Sequence, residues 1–131
     1  MTTRAHPMTA SDAIARAAHA RAFLEAATLC LGENDAAYRN VSASLSVLAG
    51  IAASDAMCGH ALREAPHGQD HTEAVNMLAR VSATGARRLG TLLSAKTTSQ
   101  YGFSFVTPSR ARDMLQQARR LCDEMQALLA R

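Results

Sequence analysis

An all-α fold, an antiparallel bundle of four to five helices, follows from three features of this 131-residue sequence. Apolar residues recur at three- and four-residue intervals across long segments. Alternating β patterns and Asn-Gly or Asp-Gly hairpin turns are absent. A hydrophobic content of 48%, with only 7 glycines and 3 prolines, is enough for one core and excludes a disordered or collagen-like chain. The expected organisation is a flexible N-terminus over residues 1–9 and one helical domain over residues 10–131.

The elements follow in chain order. Thr9 and Asp12 have capping-box spacing, and Ile14, Ala17, Leu24, Thr28 and Leu31 continue at helical intervals, so the first helix runs over about residues 10–31. Gly32 stops it, Asn34 or Asp35 caps a second helix, and Val41, Leu45, Leu48, Ile51 and Ala52 mark its expected buried stripe as far as about Arg63. The middle of that helix is crowded with Ala, Ser and Gly, including Gly50, which suits close approach by neighbours and makes it the expected central helix. Pro66 and Gly68 break the pattern. Asp70 or Thr72 then caps a third helix carrying Ala74, Val75, Leu78 and Val81; Ser82 to Gly85 interrupts it, and Leu89, Leu92 and Leu93 continue an apolar face to about Lys96. Residues 97–107, with Tyr101, Phe103 and Phe105, read as an ordered loop packed by its own aromatics. Thr107 and Pro108 open the last helix, whose stripe runs from Ala111 through Met114, Leu115, Ala118, Leu121, Cys122 and Met125 to Leu129.

Fourteen basic residues against eleven acidic give a net charge of +3, with Lys96 the only lysine. That balance permits contact with phosphate without requiring it, and no helix shows the dense basic face of a DNA reader. Neither an export signal nor a charge-free apolar run of membrane-spanning length is expected, which gives a cytoplasmic location and no membrane partner. Cys30, Cys58 and Cys122 are widely spaced and odd in number, so they read as core thiols.

Phosphate loops, nucleophile elbows and paired-cysteine zinc patterns are missing, and nothing calls for a cofactor. The densest titratable cluster joins the second and third helices: His60, Arg63, Glu64, His67, Gln69, Asp70, His71 and Glu73. His67 and His71 have helical metal-ligand spacing, but Pro66 and Gly68 argue against one helix holding both, so no metal site is assigned. Arg63 and His71 are the candidate catalytic pair for metal-independent RNA cleavage, Arg on the scissile phosphate and His moving the proton. Against this, Asp70 and His71 can simply cap a helix while Arg63 solvates another. Asp55 lies inside the small-residue stretch, where a carboxylate needs a partner; His71, the third helix N-terminus, Lys96 and Tyr101 are the candidates. Arg87-Arg88 and Arg119-Arg120 read as solvated faces.

The stretch from Arg21 to Ala27, the Leu48-Ala-Gly-Ile-Ala-Ala-Ser-Asp-Ala56 helix, Gly68-Gln-Asp-His-Thr-Glu-Ala-Val75, and Lys96 to Tyr101 before a Thr-Pro-capped helix together resemble the HEPN superfamily over residues 15–129. The likeness is to the branch that partners small nucleotidyltransferases, with His71 and Tyr101 at its characteristic positions. The resemblance implies an antiparallel bundle, a homodimer, a nucleotidyltransferase or antitoxin partner, and work on RNA or nucleotides in toxin–antitoxin or defence settings. Catalytic HEPN ribonucleases separate Arg and His by four to six residues, whereas seven lie between Arg63 and His71 and three between Arg63 and His67. The expectation is therefore a non-catalytic module that binds RNA, a nucleotide or a protein through Asp55, Gln69, Asp70, His71, Lys96 and Tyr101. A ribonuclease using Arg63 and His71, and a structural interaction protein using the small-residue helix, are the alternatives.

Overall fold

A computed structural model describes residues 5–66, 70–96 and 104–131. Among these residues the chain forms five helices and one pair of three-residue strands. The first helix, α1 (Ala10–Gly32), opens on a complete capping box: Asp12 N donates to Thr9 Oγ1 at 3.0 Å and Thr9 N donates to Asp12 Oδ2 at 2.9 Å. Asn34 takes the left-handed turn, φ 54°, which leaves Asp35 as the cap of α2 (Ala36–Leu62), accepting from Ala37 N and Tyr38 N.

Residues 5–7, assigned by the sequence to a flexible N-terminus, are instead strand β1 (Ala5–Pro7), antiparallel to β2 (Glu64–Pro66). Met8 extends the pairing by donating its N–H to the Arg63 carbonyl at 2.9 Å, and its side chain seats on Gly59, where a Cβ would lie 2.8 Å from Met8 Cε. A three-residue strand paired with a segment almost sixty residues away leaves no periodic signal to read.

The three remaining helices are α3 (His71–Ala79), α4 (Ala83–Ser94) and α5 (Pro108–Leu129). Asp70 caps α3, Ser82 caps α4 as a separate helix, and Thr107 caps α5 with Pro108 in its first turn. Ser82 serves twice, because its hydroxyl also donates to the Glu124 carboxylate of α5.

Central α2 packs against α1, α3, α4, α5 and β2. Its buried face is the small-residue one: Ser42, Ala43, Ser46, Ala49, Gly50, Ala53 and Ala56. Of the stripe expected there, Ala52 is buried and Leu45 and Ile51 are half-buried, but Val41 is 45% and Leu48 37% exposed. In α1 the same substitution occurs: Ala13, Ala17, Ala20 and Ala27 are buried while Ile14 is 64% exposed. Backbones approach most closely where side chains are smallest, so side-chain size pointed to the wrong faces. The α5 stripe from Ala111 to Met125 is buried as read. Phe105, expected to pack within its loop, is 61% exposed, whereas Val106 is buried and its backbone bonds to Arg39 and Asn40 of α2.

By length and composition α2 is apolar enough to cross a membrane, contrary to the sequence reading; 67% of its apolar window is buried inside the protein. Cys58 and Cys122 are buried and Cys30 is half-buried, all as free thiols, and burial pushes Cys58 up to about 12 and Cys122 up to about 11.

Leu92 of α4 is fully buried, and a Cβ at Gly50 would stand 2.5 Å from its Cδ1. Leu92→Ala should therefore leave a cavity between α2 and α4 and cost about 2–5 kcal/mol in urea unfolding with an unchanged slope. A loss under about 1 kcal/mol would mean that this contact does not hold α4 in place.

Candidate functional site

A cavity of about 370 Å³ opens where α2, α3 and α4 meet, and Asp55, Asp70, His71 and Lys96 all line it. These are four of the six binding residues expected from sequence. Gln69 and Tyr101, the other two, lie outside the described residues. Leu48, Ile51, Ala74, Leu89 and Leu93 give the cavity an apolar wall, and Ser54 adds a hydroxyl. A mostly apolar concavity with a few convergent polar groups is the usual form of a small-ligand site.

Local sequence places each group. Asp70 holds the start of α3 by accepting from Glu73 N at 3.2 Å, which puts His71 at the first helical position beside it. Lys96 follows the end of α4, two residues beyond Ser94. Ser54 and Asp55 occupy consecutive positions of α2, one turn past Ile51.

Arg63 is not brought into this cavity. It is exposed and closes α2 in the left-handed conformation, φ 60°, donating its N–H to the Gly59 carbonyl and lending its own carbonyl to Met8. A non-glycine residue there is held by both backbone bonds, one to α2 and one to the start of the chain. Among the described residues no three His, Cys, Asp or Glu side chains gather as metal ligands.

Asp55 has a partner that sequence reasoning missed. Arg16 of α1 donates from Nε at 3.1 Å and from a terminal nitrogen at 3.0 Å, both to Asp55 Oδ2. Arg16 is not among the four candidates named from sequence, of which Tyr101 lies outside the described residues. A signal did exist: a hairpin folded at residues 33–35 places Ser42 level with Ala27, whose carbonyl accepts from the Ser42 hydroxyl at 2.8 Å, and by the same register places Asp55 level with Arg16. Arg16 also meets His19 Nδ1 at 3.2 Å. Burial pushes the Asp55 carboxyl above its ordinary value, and the Arg16 charge and hydrogen bonds offset that rise without cancelling it. Asp55 and Pro66 also border a second cavity, about 370 Å³, on the α1 side with His6, Asp12, Arg16 and His19.

A carboxyl that holds its proton more tightly when folded has a definite stability consequence. Between the ordinary value of 3.8 and its folded value, Asp55 keeps in the native state a proton that the unfolded chain has released. Its contribution is thus most favourable below that window and falls as pH rises through it. The difference in unfolding free energy between wild type and Asp55→Asn should decline with rising pH from about 4 and then level off; a pH-independent difference would remove the argument. In Arg16→Ala the carboxyl should titrate higher still, as read from its carboxyl-carbon chemical shift. No sequence family, curated protein or solved structure matches this chain, so its functional reading rests on the geometry of the site and on the resemblance carried by its own residues.

Proposed function

We propose that the protein is a non-catalytic helical module of HEPN type that binds RNA or a nucleotide in the cavity between α2, α3 and α4. The observation that carries the reading is the convergence of Asp55, Asp70, His71 and Lys96, drawn from three separate parts of the sequence, on one apolar-walled cavity. Lys96 supplies positive charge for phosphate, and His71 supplies a ring that stacks or hydrogen-bonds. Arg63 lines none of that cavity, which favours binding over cleavage. A homodimer, a nucleotidyltransferase or antitoxin partner, and a toxin–antitoxin setting belong to the same proposal through the HEPN likeness.

A second reading, a protein-interaction module, has its own support. Tyr38, Val41 and Leu48 are exposed along one side of α2, a face that accepts an apolar partner helix. The two readings share Leu48, which also lines the cavity, but Tyr38 and Val41 belong to the exposed face alone and separate them by substitution.

Fluorescence anisotropy of a labelled single-stranded RNA, in EDTA, tests the leading reading. Binding should weaken with added salt and by about tenfold in Lys96→Ala and in His71→Ala, with the RNA intact on a gel. Cleavage that disappears in both Arg63→Ala and His71→Ala would replace the reading with a ribonuclease. Salt-insensitive association lost in Tyr38→Ser and Val41→Ser, with no RNA binding, would replace it with the interaction module.

A further inference from the structure

The Ser54 hydroxyl is an unexplained group in the cavity wall. It is 2% exposed, lines the cavity, and makes no hydrogen bond. The buried Cys58 thiol lies beside it and is a poor partner for a hydroxyl. A buried hydroxyl without a partner costs free energy, and a ligand that satisfies it recovers that cost. The next residue, Asp55, gives both Arg16 bonds to Oδ2, so Oδ1 retains its acceptor capacity beside the same cavity. Because Arg16 already balances the Asp55 charge, the pair favours a neutral N–H donor over a cationic ligand.

Resting on the nucleotide-binding reading above, we infer that Ser54 and Asp55 recognise the edge of an amino-bearing nucleobase, adenine or cytosine, in which an exocyclic amine adjoins a ring nitrogen. The amine donates to Asp55 Oδ1 and the ring nitrogen accepts from the Ser54 hydroxyl. Leu48, Ile51, Leu89 and Leu93 supply the apolar surroundings that a base ring requires, and the Lys96 and His71 positions leave the sugar phosphate toward the charged side of the cavity.

The test is calorimetric titration of the full chain with AMP and with CMP, each beside its analogue in which hydrogen replaces the exocyclic amine, and with short oligo(A) and oligo(C) RNA. AMP or CMP should bind at least about tenfold more tightly than its amine-less analogue, because that analogue leaves Asp55 Oδ1 without the donor. Ser54→Ala should lose about tenfold in affinity for the preferred nucleotide while melting at or above the wild-type temperature, since it deletes an unsatisfied buried group. Tighter binding of the oligomer than of the mononucleotide identifies RNA as the source of the base; the reverse identifies a free nucleotide. Nucleotide or RNA binding that depends on Lys96 and His71 but is indifferent to the amine and to Ser54→Ala overturns this inference and leaves the binding reading standing. Absence of binding to every nucleotide and both oligomers overturns the two together.

Discussion

Everything else in the structure is arranged around the close approach of its neighbours to the small-residue face of α2. Gly50 admits Leu92, Gly59 admits Met8, and the alanines and serines between them admit α1 and α5. At such a surface stabilisation comes from the many short-range contacts that near backbones allow, and each added methyl group there pushes a helix away. Val47 and Met57 stay in the core, while Leu48 and Ile51 line the cavity at the edge of the packed face.

That arrangement explains how a carboxylate comes to sit within the small-residue stretch of α2. Asp55 lies at the margin between the packed face and the cavity, buried enough to hold its proton above the ordinary carboxylate range and still within reach of Arg16. Removing such an acid from water is costly, and the double hydrogen bond from Arg16 offsets part of that cost while tying α1 to α2. The same pair lies between two cavities, one facing α3 and α4 and the other facing the N-terminal strand. A group whose ionisation is costly and whose partner is on another helix is a sensitive point for ligand binding.

Helix boundaries were legible because caps are local chemistry. Thr9 with Asp12, Asp70 before His71, and Thr107 with Pro108 each carry their meaning within four residues, and all three occur as read. Which face of α1 and α2 is buried was not legible, because hydrophobic periodicity weights Val41, Leu48 and Ile14 above the alanines that in fact meet other helices. The β1–β2 pair depends on tertiary contact between the two ends of the α1–α2 hairpin. Asp55, Asp70, His71 and Lys96, named from residue type and position, line one cavity. Arg16 and Ser54 were passed over, the first because its partner is thirty-nine residues away and the second because one more serine among many carries no signal until its burial is known.

The account's central claim is that the α2–α3–α4 cavity, and not the arginine-rich surface of α4 and α5, is where the molecule meets its ligand. Backbone amide chemical shifts, followed by NMR as AMP, CMP or short RNA is added to the full chain, test it directly. The account predicts that the perturbed amides cluster at residues 48–55 of α2, 70–74 at the start of α3 and 89–96 at the end of α4. Perturbations confined to the neighbourhoods of Arg87, Arg88, Arg119 and Arg120 would contradict it.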